Sequence, residues 1–92
     1  MSATVVIPNH LARHFRNASQ FQIEAADLKD VLETLSRDYG LEDILLTLEG
    51  HLQPFIRVVV DEDLVTSGKS GDLGQVGVAG KTIRILTAFA GG

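Results

Sequence analysis

The chain has 92 residues, which is the length of one domain, and it contains no cysteine. Without cysteine there is no disulfide framework, no thiolate ligand for zinc and no thiol nucleophile. Eight lysine and arginine residues against twelve aspartate and glutamate residues give a net charge of −4, which argues against binding to nucleic acid or to an acidic membrane.

The N-terminal half predicts two strands and one helix. Residues 4–7 (TVVI) are β-branched and end at Pro8, and residues 19–24 (SQFQIE) alternate polar with apolar, so both are predicted strands, joined as a hairpin. Asp27 suits the N-cap of a following helix, and Gly40 suits its left-handed C-terminal position. Apolar residues recur in this helix at spacings of three and four and therefore lie on one face: Leu28, Val31, Leu32, Leu35 and Tyr39.

The C-terminal half predicts a short helix followed by strands. Residues 41–48 form a possible short second helix, and residues 55–60 (FIRVVV) form a strand. Residues 61–63 (DED) are an acidic turn, residues 64–65 a brief return strand, and residues 81–87 (KTIRILT) a final alternating strand. The intervening loop has a glycine at every third position from Gly68 to Gly80, and we interpret it as flexible.

The order strand, strand, helix, strand, short strand, strand predicts an α+β fold. A mixed sheet with one main helix packed across it, the β-grasp arrangement, suits this order. The crossover from the second strand to the third is long enough to permit parallel pairing in that sheet. We expect residues 1–92 to form a single domain with a flexible C-terminal tail, residues 88–92.

Evidence for catalysis or metal binding by the chain itself is weak. His10 and His14 have the i, i+4 spacing of zinc ligands on a helix, but no third ligand is indicated nearby, and His51 stands alone. The acidic residues 61–63 are better explained as a solvated turn than as a cation site. Gly68 lacks the preceding glycine of a phosphate-binding loop. We therefore expect neither a metal site nor an enzyme.

The predicted localisation is cytoplasmic. No apolar run approaches the roughly 18 residues of a membrane-spanning helix. The first eight residues, MSATVVIP, lack the basic region of a secretory signal. We expect no association with a membrane.

The last predicted strand runs into the sequence AFAGG. Gly91 and Gly92 have no side chains, so a tail with a carboxylate at its tip fits a narrow channel in another protein. The alternative is a frayed end without a role. Phe89 is a candidate anchor in a partner, and folding back onto the sheet is the alternative for this side chain.

Three segments resemble the ubiquitin-like sulfur-carrier proteins: the helix LKDVLETLSRDYG, the strand and acidic turn VVVDEDLV, and a last strand that leads into a terminal AGG. That family includes the small subunit of molybdopterin synthase and the sulfur carriers of thiamine, cysteine and siderophore biosynthesis. The resemblance covers nearly the whole chain. It implies a ubiquitin-like β-grasp fold and a sulfur-carrying protein substrate that is not itself an enzyme.

The resemblance also implies a reaction cycle at Gly92. A ubiquitin-activating-like adenylyltransferase would use Mg-ATP to adenylate the carboxylate of Gly92, and sulfur would then displace AMP. The resulting thiocarboxylate would donate sulfur to a second, biosynthetic enzyme. Phe89, Ala90 and Gly91 would bind the partner, while the chain itself would hold no cofactor.

The chain departs from the family pattern in two places, of which the first concerns the choice of partner and the second alters only surface charge. Family members often carry prolines before the terminal Val-Ala-Gly-Gly, whereas residues 87–90 here are TAFA, and their acidic turn before the last strand is replaced by residues 79–81 (AGK). The receiving pathway, molybdopterin, cysteine or a similar one, therefore stays open. Two other functions are a protein modifier conjugated through Gly92 and an interaction module with an incidental Gly-Gly end.

Overall fold

A computed structural model of the chain describes residues 2–8, 20–39 and 42–87. The strands are β1 (Ser2–Val6), β2 (Gln20–Glu24), β3 (Ile56–Val60), β4 (Asp63–Leu64) and β5 (Thr82–Thr87). The helices are α1 (Leu28–Tyr39), α2 (Glu42–Leu45) and α3 (Ser70–Leu73). Within these described ranges the strands form one five-stranded sheet in the order β2-β1-β5-β3-β4.

The sheet is mixed, as the sequence predicts. β1 pairs antiparallel with β2 and thereby confirms the predicted hairpin. On its other side β1 pairs in parallel with β5, with Val5 opposite Ile83. β5 in turn pairs antiparallel with β3. First and last strands therefore lie side by side in the middle of the sheet, and the predicted α+β, ubiquitin-like β-grasp fold is confirmed.

The core lies between one face of the sheet and α1. Strand alternation places every second side chain of β1, β3 and β5 on that face, where each is at most 5% exposed. The helix meets them with its predicted apolar residues, and each fully buried leucine contributes roughly 1.5–3 kcal/mol. The buried strand residues are Ala3, Val5, Ile56, Val58, Val60, Ile83 and Ile85, and the buried helix residues are Leu28, Val31, Leu32 and Leu35.

Helix α1 begins where the sequence predicts. The Asp30 backbone N–H donates to Asp27 Oδ1 over 2.8 Å, so Asp27 caps the first turn. The predicted C-terminal residue Gly40 lies outside the described residues. Helix α1 has 12 residues and an exposed polar face, and no helix in the described ranges is long and apolar enough to cross a membrane.

The structure departs from the predicted elements in two places. The helix predicted over residues 41–48 is only Glu42–Leu45, because Leu46 instead bridges antiparallel to Leu52. The glycine-rich segment is not a free loop. It contains α3, and its apolar residues Leu73 and Val78 are fully buried in the core, so packing holds a segment whose composition indicates flexibility.

Candidate functional site

Strand β5 ends at Thr87, the last described residue before the tail. β3 pairs with β5 from Val60 opposite Ile83 to Ile56 opposite Thr87, so ladder hydrogen bonds hold β5 up to its last residue. The tail follows directly after Thr87 in the sequence. All four predicted tail residues of the site lie outside the described residues: Phe89, Ala90, Gly91 and Gly92. The structure therefore describes the sheet up to Thr87, the residue before the tail.

The face of the sheet opposite α1 carries an apolar patch beside this point. Leu86 lies opposite Arg57, while Arg84 lies between Val6 and Val59. Leu86 is 47% exposed and Leu64, which pairs with Val59, is 54% exposed. We call this surface the open face and define it by six residues: Val6, Arg57, Val59, Leu64, Arg84 and Leu86.

Arg57 is held in place at the tail end of the open face. Its Nη1 donates to the carbonyl oxygen of Pro54 over 2.6 Å and to that of Ile56 over 3.3 Å. A guanidinium has five N–H donors in a fixed plane, so those on Nε and Nη2 can bind a carboxylate of another protein. A positioned cation therefore lies beside Leu86.

The acidic turn lies at the other end of the same strands. The Thr82 N–H donates to Asp61 Oδ1 over 2.9 Å, and the Asp61 N–H donates to the carbonyl oxygen of Thr82 over 2.7 Å. Asp61, Glu62 and Asp63 are exposed, which confirms the prediction of a solvated turn. Together with Arg84 they line a shallow, polar depression. The open face thus borders the acidic turn at one end, beside Arg84, and carries Arg57 at the other end, next to Thr87.

Among the described residues, the other candidates from the sequence do not form a reactive cluster. His51 accepts a hydrogen bond from the Ser70 backbone N–H at Nδ1 over 2.9 Å. His10 and His14 lie outside the described residues. Nowhere in residues 2–8, 20–39 and 42–87 do three histidine, aspartate or glutamate side chains come together as metal ligands.

The open face is the part of the site that the sequence prediction missed. Its signal is Leu86, an apolar residue at a position where the strand alternation of residues 81–87 predicts a solvent-facing side chain. Leu64 is a second such signal, because it is an exposed apolar residue directly after the acidic turn. Neither identifies a patch until the strand order brings them to one surface.

Three solved structures are similar to this chain over nearly its full length. CysO of Amycolatopsis orientalis, solved in a BexX/CysO complex, is 26% identical with a TM-score of 0.77, covering 97% of this chain and 98% of that chain. CysO of Mycobacterium tuberculosis, described as an antigen, is 27% identical with a TM-score of 0.76, covering 94% and 98%. SAMP1 of Haloferax volcanii covers both chains completely at 19% identity and a TM-score of 0.75, which shows a shared fold.

Comparisons based on sequence alone find no relative of this chain. No protein-family model matches the chain, and no curated protein matches it. The structural likenesses nevertheless span the whole β-grasp core, and the two CysO proteins also share about a quarter of their residues with this chain. The chain therefore has the ubiquitin-like β-grasp fold, and it is similar over nearly its full length to the CysO proteins, in agreement with the resemblance seen in its sequence.

Proposed function

We propose that this chain is a sulfur carrier whose sulfur is mounted on the carboxylate of Gly92. The observation that carries the proposal is the position of β5: it is paired with β3 up to Thr87, and the sequence AFAGG follows at once. The likeness to the CysO proteins, over nearly the whole of both chains, supports it. Such an arrangement presents a slender tail from a rigid sheet.

The proposed chemistry has two steps, both carried out by a partner enzyme. A carboxylate oxygen of Gly92 attacks the α-phosphorus of Mg-ATP, and pyrophosphate leaves, which gives an acyl adenylate. Hydrosulfide then attacks the acyl carbon, and AMP leaves with the electrons of the broken C–O bond. The thiocarboxylate that results is a nucleophile which a sulfur-accepting biosynthetic enzyme uses. Gly91 and Gly92 contribute their small size, because a side chain would obstruct a narrow channel.

We further propose that the open face binds the activating enzyme. Its exposed Leu86 is the residue before Thr87, so a protein that covers Leu86 also lies next to the last residue of β5, after which the tail begins in the sequence. The fixed guanidinium of Arg57 favours a partner surface with an acidic group at that end. A basic group of the partner opposite the acidic turn would fix the orientation of the partner on the open face. The complex of CysO with BexX supports the idea that a protein of this fold acts with a partner.

The sulfur-carrier proposal is tested by intact-mass measurement. The chain, an activating enzyme from the same organism, Mg-ATP and sulfide are incubated together. We expect the mass to rise by the difference between a sulfur and an oxygen atom. Deletion of Gly92 should abolish the rise. An unchanged mass with every activating enzyme of the organism would refute the proposal.

The role of the open face has a matched pair of variants. Leu86→Glu places a charge in the patch, whereas Leu48→Glu makes the same change at a fully exposed leucine in a turn outside the sheet. If the patch is an interface centre, Leu86→Glu slows thiocarboxylate formation by about tenfold or more, the usual effect at such positions. Leu48→Glu should leave the rate unchanged. Equal rates for both variants would exclude the open face as the binding surface.

A second candidate is a protein modifier that forms an isopeptide bond through Gly92. The shared fold with the small archaeal modifier proteins of Haloferax volcanii favours it. It predicts conjugates in which Gly92 is joined to lysine side chains in cell lysates. Finding thiocarboxylate but no conjugates in the same cells would leave the carrier as the function.

A further inference from the structure

Two loops on the β4 side of the molecule are joined at adjacent points. We call residues 47–53 the histidine turn and residues 66–73 the glycine loop. The Leu52 N–H donates to the carbonyl oxygen of Gly68 over 2.7 Å, and the Ser70 N–H donates to Nδ1 of His51 over 2.9 Å. A Cβ atom at Gly68 would lie 2.7 Å from Leu52 Cβ, so the two backbones touch. The glycine loop is therefore fastened to the turn.

The histidine turn holds the imidazole in position. The Thr47 N–H donates to the carbonyl oxygen of His51 over 2.7 Å, and the His51 N–H donates to Thr47 Oγ1 over 3.1 Å. Gly50 closes the turn with a φ of 82°, in the left-handed region that glycine adopts without strain. Both backbone polar groups of His51 are thus engaged within the turn. The backbone of His51 is therefore fixed, and from this position its exposed imidazole accepts the hydrogen bond from Ser70.

The bond to Ser70 exists in only one charge state of His51. An imidazole accepts a hydrogen bond at Nδ1 only when its proton is on Nε2. The imidazolium carries a proton on both nitrogens, so it has no acceptor to offer and its charge repels the Ser70 N–H dipole.

The charged residues around this bond do not replace it. On the glycine loop, Lys69 adds a second positive charge next to Ser70, and the Asp72 carboxylate already accepts a 2.6 Å hydrogen bond from Ser67 Oγ. Glu49 lies on the histidine turn itself and is exposed. Of the interactions named in this paragraph, protonation of His51 breaks only the hydrogen bond that His51 accepts from Ser70.

We propose that His51 is a pH-sensitive latch on the glycine loop. Neutral His51 keeps the start of α3 against the histidine turn, and protonated His51 releases it. Only the start of α3 is affected, because the hydrogen bond between Leu52 and Gly68 holds the residues before it and the buried Leu73 and Val78 hold the residues after it.

The start of α3 lies two residues after Gly68, which borders a groove of about 430 Å³. Gly68 and Val65 line one side of this groove, and Pro54 and Arg57 line the other, next to the strand ends from which the tail leaves. The hydrogen bond between Leu52 and Gly68 does not involve His51, so opening the latch frees Ser70 near this groove while Gly68 keeps its place. The proposed latch does not depend on the proposed sulfur chemistry at Gly92.

The test observes the hydrogen bond directly in the full chain. An N–H···N bond transmits a scalar coupling between the two nitrogens, so a ¹⁵N spectrum of wild-type protein should show coupling between the Ser70 amide and His51 Nδ1 at about pH 8. Between about pH 8 and pH 5 histidine side chains ordinarily change charge. We expect the coupling to vanish over this range and the exchange protection of the Ser70 amide, corrected for its intrinsic rate, to fall by about five- to tenfold.

Two variants separate His51 from the other histidines. His51→Asn keeps an acceptor at the position of Nδ1 but has no charge to gain, so protection at Ser70 should be the same at both pH values. His51→Ala lacks the acceptor and should show low protection throughout. The amide of Val78, which donates to the carbonyl oxygen of Ala26, reports whether the core is intact at each pH.

The outcomes are clear-cut. Absence of the coupling in wild type at about pH 8, or the same protection of Ser70 in wild type at both pH values, would overturn the proposal. Loss of protection in His51→Asn equal to that in wild type would also overturn it, since another group would then be the sensor. The wild-type spectrum needs no variant, so the proposal is testable even if a variant fails to fold.

Discussion

Asp61 combines two features that a set of substitutions can separate. Its carboxylate accepts a 2.9 Å hydrogen bond from the Thr82 N–H, which joins the β3–β4 turn to the first residue of β5. Its backbone has a φ of 55°, in the left-handed region where aspartate and asparagine are tolerated better than alanine. Alanine loses the bond and also fits the backbone less well.

The magnitudes follow from these two features. Loss of the hydrogen bond costs about 1 kcal/mol, and alanine in the left-handed conformation costs up to about 1 kcal/mol more. Asp61→Ala should therefore lower the free energy of unfolding by about 2 kcal/mol, which is roughly 8–16 °C in Tm for a chain of this size. Asp61→Gly loses the bond without the strain, so about 1 kcal/mol is expected. Asp61→Asn keeps an acceptor oxygen and should cost less than about 0.5 kcal/mol.

Urea unfolding followed by circular dichroism measures all four proteins under one condition. The expected order of stability is wild type, Asn, Gly and then Ala, with the same slope against urea concentration. If Asp61→Asn is as unstable as Asp61→Ala, the hydrogen bond is not the source of the stability. If Asp61→Gly is less stable than Asp61→Ala, the backbone strain is not real.

Two further predictions concern packing. The hydroxyl of Ser36 on α1 is buried without a hydrogen-bond partner among the described residues, and Ser36 is 7% exposed. Ser36→Ala should therefore leave the free energy of unfolding unchanged, or raise it by up to about 1 kcal/mol, in the same urea assay. A clear loss of stability would mean that the hydroxyl has a partner. Gly68→Ala should destabilise by about 1–3 kcal/mol because its Cβ would meet Leu52 at 2.7 Å, whereas Gly71→Ala, with open space around its Cβ, should be neutral or slightly stabilising. Equal stabilities of the two glycine variants would contradict the close approach of the loops.

Local sequence patterns were sufficient for the main elements. Asp27 followed by an apolar repeat of three and four residues predicts α1 and its cap, and both are present because a cap and an apolar stripe are properties of neighbouring residues. Alternation predicts β5 with Ile83 and Ile85 facing the core, and they are buried. The fold class followed from the order of these elements.

The glycine-rich segment shows where local patterns fail. Leu73 and Val78 are single apolar residues without helical or strand periodicity, so no pattern predicts that they are buried. Contacts with α1 decide it: the Leu28 N–H donates to the carbonyl oxygen of Val76, which draws the segment against the start of the helix. Such contacts join residues far apart in the chain and exist only after folding.

The sequence alone determined the composition and order of the tail, the absence of thiol chemistry in the side chains, and the elements of a β-grasp fold. A chain without cysteine agrees with the proposed sulfur carrier, since no side-chain thiol then competes for the sulfur. Tertiary structure alone decided that Leu64 and Leu86 share one surface with Arg57, and that His51 meets Ser70. The physical reason is that strand order and loop contacts depend on pairing between segments far apart in the chain. Helix caps, strand alternation and terminal residues depend only on residues that are neighbours in the sequence.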